Sequence, residues 1–323
     1  MIELLNKIHH ADWLTNNLPD KSVQLIIADP PYFEVKGSFD FVWKSFDDYL
    51  KDVEKWAIEC KRILADNGTL FWYGHAKNIA YAQIIFDKHF NLINNLVWDK
   101  GSFMGLEESE GLRSFAPCTE RILMYGSKTQ DTTGREFIEE TYIAPRNPFS
   151  REISKGMSLY NLKEIDFRKL RPSKNGNLTG WCSNIILGSS NPTKQDWELI
   201  ETIIKSGKEY EELRKEYEEL RRPFANYFKL QEIFRFSNEA VKTGAKYDHD
   251  TVKPETLTRV LILTCSRQND LVLAPFAGSG TEVAMAIKEG RKAIGYDIEK
   301  KYVDMANRRV DIIKAQPSLF CFA

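Results

Sequence analysis

Cysteine is sparse and scattered in this chain of 323 residues. Cys60, Cys118, Cys182, Cys265 and Cys321 make no Cys-x-x-Cys pair and share no ligand spacing with histidine. That argues against a disulfide framework and a metal site, and for a reducing compartment. Long apolar runs are missing too, none approaching the roughly 18 residues that cross a bilayer, so no membrane partner is expected. Met1-Ile2-Glu3-Leu4-Leu5-Asn6-Lys7 lacks the basic, apolar and small-residue succession of a signal peptide. The expectation is a soluble cytoplasmic protein. Charge of one sign is also absent: the formal net charge is −1, so any nucleic-acid surface must be local. Hydrophobic content of 42% and charged content of 28% are ordinary for a globular protein, and the length allows one large or two modest domains.

What is present begins with Val23-Gln24-Leu25-Ile26-Ile27-Ala28, an apolar run that stops at Asp29-Pro30-Pro31-Tyr32. The run reads as a buried strand ending in a stiff loop, since two prolines fix φ and turn Asp29 away from helical geometry. A carboxylate beside an aromatic ring in a rigid frame suits a planar base bearing an amine. A Pro-stiffened turn that only ends a strand is the competing reading.

Strands and helices alternate around this loop, as in a parallel α/β sheet. A short helix is predicted over 12–20, and a longer one over 46–65, closed by Gly68 in the left-handed region. Strands follow at 69–73, 92–98 and 119–126, with a helix at 77–89. After the interruption the pattern resumes: a helix from Lys253-Pro254-Glu255 to Cys265, a strand at 271–274, a helix at 281–289, a strand at 293–296 and a last helix to about residue 314. Between them, 141–180 reads as irregular, broken by Pro145, Pro148, Gly156, Pro172, Gly176 and Gly180. It carries eight basic residues against three acidic ones, interleaved with Tyr142, Phe149, Tyr160 and Phe167. That composition fits a nucleic-acid surface or an ordinary solvated insert. Residues 196–222 hold a tandem heptad with Tyr210, Leu213, Tyr217 and Leu220 at a/d spacing, predicting a helical hairpin against Trp197, Ile200, Ile203 and Ile204. It would serve as a spacer or a dimer contact.

The second constellation is Pro275-Phe276-Ala277-Gly278-Ser279-Gly280-Thr281 after one strand, with Asp297 ending the next. Gly278 and Gly280 let the backbone bend close to a ligand, and a carboxylate roughly 20 residues on can accept ribose hydroxyls. Position 283 is Val where a dinucleotide fingerprint needs glycine, and no Gly-Lys-Ser/Thr follows. NAD, FAD and a Walker loop are therefore disfavoured. A nucleoside ligand without pyrophosphate remains, and S-adenosylmethionine belongs to that class.

Together these two motifs resemble the DNA amino-methyltransferases that modify adenine N-6 or cytosine N-4, in the permuted order called β, with the catalytic motif first. His249-Asp250-Thr251-Val252-Lys253-Pro254 and Leu64-Ala65-Asp66-Asn67-Gly68-Thr69-Leu70 resemble two further elements of the family. The resemblance implies a Rossmann-like α/β methyltransferase fold, with a mostly parallel sheet flanked by helices. Residues 1–130 and 245–323 would form the catalytic domain, and 131–244 an inserted target-recognition region containing the hairpin. It implies a site-specific DNA methyltransferase using S-adenosylmethionine on a flipped adenine of double-stranded DNA, the Asp form of the loop accompanying adenine. Asp29, Pro30, Pro31 and Tyr32 would be catalytic, the Asp29 carboxylate and Pro30 carbonyl accepting from the amine. Tyr32 and Phe33 would stack on the base, which must leave the duplex. Pro275 through Thr281, Asp297, His249 and Lys253 would hold the cofactor. Arg146, Arg151, Lys155, Arg168, Lys169, Arg171 and Lys174 would meet DNA. A restriction–modification, orphan or phage-borne role is implied, with an endonuclease acting separately and a homodimer open. Ala274 departs from the family, which often has Asp there; another group would then have to hold the cofactor's ammonium. Cytosine N-4 modification, and a silent DNA-binding subunit of the same fold, stand as alternatives.

Overall fold

Six residues, Val23–Ala28, form strand β2, and their alternation decides the layers around it. Leu25 and Ile27 point into one apolar cluster, while Val23, Ile26 and Ala28 point into another. A strand buried on both faces belongs in the middle of a parallel sheet. The computed structural model describes residues 4–35, 38–101, 113, 115, 117–128, 147–237 and 252–315. It divides into two compact units, Met1–Lys128 with Pro223–Ala323, and Thr129–Arg222.

The first unit is built on an eight-stranded sheet. Its strands are β1 (Lys7–His10), β2, β3 (Leu64–Gly74), β4 (Phe90–Asp99), β5 (Thr119–Ser127), β6 (Ile233–Arg235), β7 (Leu271–Ala274) and β8 (Lys292–Asp297). The spatial order is β1-β8-β7-β2-β3-β5-β4-β6, and only β5 runs against the others. Helices Phe46–Ile63 and Ile79–Phe86 cover one face. Glu255–Cys265, Thr281–Lys288 and Lys300–Lys314 cover the other. No helix among the described residues is long and apolar enough to cross a membrane.

β2 and β7 are neighbours in register, Leu25 opposite Val272 and Ile26 opposite Leu273. From β2 the chain crosses to β3 on one side, and from β7 to β8 on the other. Connections that diverge from adjacent strands leave a crevice at their carboxyl ends, the usual ligand position in an open α/β sheet. Asp29 follows one strand end, and Pro275 to Thr281 the other.

Several local expectations are corrected. Residues 12–20 hold only a single 3-10 turn, Trp13–Thr15, capped by Asp12, since Asn16 is already extended (ψ 152°). The helix from Phe46 ends at Ile63, and Gly68 does not close it. Residues 64–74 are strand, with a register shift that leaves Ala65-Asp66-Asn67-Gly68 as an irregular bulge against β2. Two strands escaped prediction: β1, four residues long, and β6, three residues long, both paired only through the tertiary sheet. Because β6 joins β4, residues 223–237 belong to the sheet unit, although the sequence reading put them in the insert.

The second unit is helical. Residues 148–160, expected to be irregular, form a helix, Pro148–Tyr160, followed by Glu164–Leu170, Ser183–Ile186, Lys194–Ile204 and Tyr210–Leu220. Pro148 does not break its helix because it sits in the first turn, where its missing N–H costs nothing, while Asn147 caps Phe149 N and Ser150 N. Gly156 permits close approach: a Cβ there would lie 2.5 Å from Ile204 Cβ. The heptad is half used. Leu213 is buried and the Tyr210 ring lies 5.4 Å from Phe149, but Leu220 is exposed. The seam therefore docks on Pro148–Tyr160 as well as on the predicted Lys194–Ile204 helix.

Candidate active site

The loop after β2 is fixed from several sides. Tyr32 N donates to Asp40 Oδ1 at 2.5 Å, and Glu34 N to Asp40 O at 2.9 Å, so a buried carboxylate folds the loop onto itself. Asn78 Nδ2 donates to Phe33 O at 2.8 Å. At the strand end both Asp29 oxygens are engaged: Tyr32 Oη donates to Oδ1 at 2.7 Å and Lys253 Nζ to Oδ2 at 2.7 Å. An ionised carboxylate offers about four lone-pair positions, so acceptor capacity remains for an amine.

Lys253, expected to bind cofactor, has its ammonium on two carboxylates. Besides Asp29 it reaches Glu120 Oε2 at 3.2 Å, and Lys100 holds the other Glu120 oxygen. Lys253 is buried, and its ammonium lies 5.0 Å from the Tyr73 ring centroid, 5.7 Å from Trp98 and 6.0 Å from Tyr32. An ammonium against aromatic faces and between carboxylates is well compensated. Burial opposes its charge, but Asp29 and Glu120 outweigh burial and raise its pKa. Burial likewise opposes the Glu120 carboxylate, and Lys253 and Lys100 still pull it below its ordinary value. Burial, then the Asp29 and Glu120 charges, push the Tyr32 phenol well up, so it stays a hydroxyl. Glu120 and Lys100 were not singled out from sequence as site residues. An acid and a base on adjacent antiparallel strands gave no signal without the pairing of β4 with β5.

Phe33 does not share Tyr32's position. Its ring packs edge-on to Phe46, 5.4 Å between centroids, and beside Tyr49, in the aromatic core under the Phe46–Ile63 helix. Phe276, assigned to the cofactor, likewise lies edge-on to Trp56 at 5.0 Å and to Trp13 at 5.9 Å. Its ring anchors the turn to the core.

The Gly-Ser-Gly turn follows directly. Gly278 (φ 46°) and Gly280 (φ 73°) are left-handed, and a Cβ on Gly280 would meet Ala306 Cβ at 2.7 Å. Only glycine fits there. Asp297 accepts from Gly278 N at 2.8 Å and from Glu299 N at 2.8 Å, so it pins the turn to the end of β8. Arg309, buried in the last helix, donates to Ser279 O at 3.2 Å and Thr281 Oγ1 at 2.8 Å, and pairs with Glu255 at 2.7 Å. Sequence reading missed it. Its place three residues after Ala306 on the apolar stripe was the available sign. This open cradle, with buried Glu282 Oε1 and Tyr73 Oη lacking hydrogen-bond partners among the described residues, fits a nucleoside with a charged tail. His249 lies outside the described residues.

With this geometry, the family model described as DNA methylase (N6/N4 methyltransferases) matches residues 23–308. The chain belongs to the N6/N4 DNA methylase family. It is 26% identical to the type II methyltransferase M.HinfI of Haemophilus influenzae, over 98% of this chain and 71% of that protein. It is 27% identical to the DNA adenine methyltransferase YhdJ of Escherichia coli, over 94% and 82%. The fold is shared with TTHA0409 of Thermus thermophilus, solved with S-adenosyl-L-methionine, at a TM-score of 0.51 and 18% identity, covering 97% of each chain. It is shared also with the cytosine-N4-specific PvuII DNA methyltransferase, at 0.50 and 13%, covering 95% and 89%.

Five of the seven basic residues expected to meet DNA are paired within the helical unit. Arg151 makes a two-pronged pair with Glu216 (2.7 and 3.0 Å), Lys155 pairs with Glu152, Arg168 with Glu164, Lys169 with Asp166 and Arg171 with Asp196. Asp196 and Glu216 come from beyond the stretch whose charges were counted, so its local excess is partly neutralised. Lys174 lies in the turn after Glu164–Leu170, and Arg146 lies outside the described residues.

Proposed function

We propose that this DNA methylase is adenine-specific, moving a methyl group from S-adenosylmethionine to the exocyclic N-6 amine of an adenine flipped out of double-stranded DNA. The observation that carries the reading is Asp29, held by Lys253 and Tyr32 at the end of β2, beside the glycine turn at the end of β7. The Asp form of the loop and the similarity to an adenine methyltransferase both favour adenine. Asp29 and the Pro30 carbonyl accept the two amine N–H bonds and draw that nitrogen towards tetrahedral geometry, which localises its lone pair. Tyr32 offers its ring face to the base while its hydroxyl stays on Asp29. S-adenosylmethionine supplies an electrophilic methyl on a sulfonium. The protein then contributes mainly position and electrostatics. Glycine backbone and Asp297 hold the nucleoside, and the insert reads the target sequence as part of a modification enzyme.

Transfer of tritiated methyl from S-adenosylmethionine to mixed-sequence DNA, followed by nucleoside analysis, tests this. N6-methyladenine is expected. N4-methylcytosine as the product refutes the adenine assignment, and unlabelled DNA refutes the whole reading.

A further inference from the structure

Four acids belong to the cleft among the described residues, and three are satisfied. Asp29 accepts from Tyr32 and Lys253, Glu120 from Lys100 and Lys253, and Asp297 from Gly278 N and Glu299 N. The fourth, Glu282, sits in the first turn of Thr281–Lys288 and is only 4% exposed, yet its Oε1 has no hydrogen-bond partner among the described residues. Tyr73 Oη, wholly buried on β3, has none either. The Tyr73 ring lies 5.0 Å from the Lys253 ammonium, and Glu282 opens the helix after the glycine turn at the end of β7, beside β2, so both oxygens border the catalytic cluster; Glu282 accordingly feels the charges of Asp29 and Lys253. β7 ends in Ala274, which offers no acid.

A buried carboxyl oxygen without a donor costs free energy unless function supplies one. A group that donates to both oxygens and carries positive charge suits them, and a nucleoside ligand with an α-amino acid tail brings one. We propose that Glu282 binds the α-ammonium of S-adenosylmethionine, with Tyr73 Oη as a second acceptor, supplying the acid that Ala274 does not. This rests on the cofactor assignment and not on which base is methylated.

Burial raises the Glu282 carboxyl to about 7, with Asp29 adding to it, against a hydrogen bond from its own backbone N–H and the opposing Lys253 and Arg309 charges. The groups facing it are thus Asp29 beyond β2, Tyr73 on β3, Lys253 ahead of Glu255–Cys265 and Arg309 on the last helix. An arriving ammonium favours the carboxylate, so the acid proton leaves Glu282 for solvent as the ammonium binds. Near neutral pH binding therefore releases protons, and affinity rises with pH up to about 7.

Calorimetric titration of the full chain with S-adenosylhomocysteine, which keeps the ammonium, measures this in phosphate and in Tris at neutral pH. 5′-Methylthioadenosine, which lacks the amino-acid tail, is the control. Glu282→Gln preserves shape and removes only the charge. Its affinity for S-adenosylhomocysteine falls at least about tenfold, its proton release disappears, and its affinity for methylthioadenosine is unchanged. An equal loss for both ligands overturns the proposal by making Glu282 a shaper of the turn. Wild-type affinity and proton release in Glu282→Gln overturn it directly. Failure of the wild-type chain to bind S-adenosylhomocysteine overturns the proposal together with the cofactor assignment.

Discussion

Replacing Lys253 with Met removes one buried cation and leaves its two carboxylates in place. The ammonium lies 2.7 Å from Asp29 and 3.2 Å from Glu120. At an effective dielectric near 20 each contact is worth about 5–6 kcal/mol of gross attraction. Dehydrating the lysine offsets several kcal/mol of that. The methionine fills the same space against Tyr73 and Trp98, so little packing is lost. What remains is a buried pair of acids with Lys100 still on Glu120, and breaking a buried pair in this way costs about 3–5 kcal/mol. The pair relieves part of that by taking up a proton, as two carboxylates sharing a site do. A protonated acid in the loop is a poorer acceptor for the target amine. Lys253→Met should therefore unfold at lower urea, and its methyl transfer should climb towards alkaline pH where wild type is level. Urea denaturation and a pH–rate profile on cognate DNA measure both. A variant with the wild-type midpoint and a parallel pH profile refutes the assignment of Lys253 to the Asp29–Glu120 cluster.

Other substitutions separate the parts of the site. Asp29→Ala should leave S-adenosylhomocysteine affinity largely intact and abolish methyl transfer; near-normal turnover on cognate DNA rules out the proposed chemistry. Glu282 gives a stability signal in the free protein. A carboxyl whose pKa rises on folding, here from 4.5 to about 7, keeps its proton in the folded chain while the unfolded chain loses it. Stability therefore falls as pH rises through that window, by roughly 3 kcal/mol in all. Glu282→Gln should match wild type near the acid end and exceed it above about pH 7, and parallel stability curves would contradict this. Gly280→Ala forces a Cβ into Ala306 at a left-handed φ and should cost about 1–3 kcal/mol in thermal unfolding, with weakened cofactor binding. Arg171→Ala removes a mostly exposed guanidinium from the buried Asp196, which keeps its Thr193 bonds, and should cost about 1 kcal/mol. If Arg171 meets a phosphate, the salt dependence of DNA affinity should also fall by about one unit of slope.

Short apolar runs and helical spacing between them made the sheet legible. β2, β3, β7 and β8 and the helices between them follow from runs such as Val23–Ala28 and from the spacing of Tyr49, Val53, Trp56 and Cys60. Elements whose pairing is wholly non-local were not legible. β1 and β6 are too short for a period to emerge, and Gly68 looked like a helix end because propensity says nothing of a bulge against β2. Composition misled in the insert, where Pro148 and Gly156 looked like breakers but serve as a helix start and a close contact.

The two motifs carry their own geometry. Prolines stiffen the loop of Asp29, glycines bend the turn before Thr281, and the apolar runs before both make them strand ends. That much chemistry is local, and the sequence alone determined it. Which strands lie side by side is a matter of packing over nearly the whole chain, and so is every charge brought to the cleft from elsewhere. Only the folded sheet puts β7 beside β2, bridges Asp29 and Glu120 with Lys253, threads Arg309 beneath the turn and leaves one oxygen of Glu282 without a partner among the described residues. Burial makes those charges matter, because a carboxylate removed from water depends on the few groups the fold sets around it.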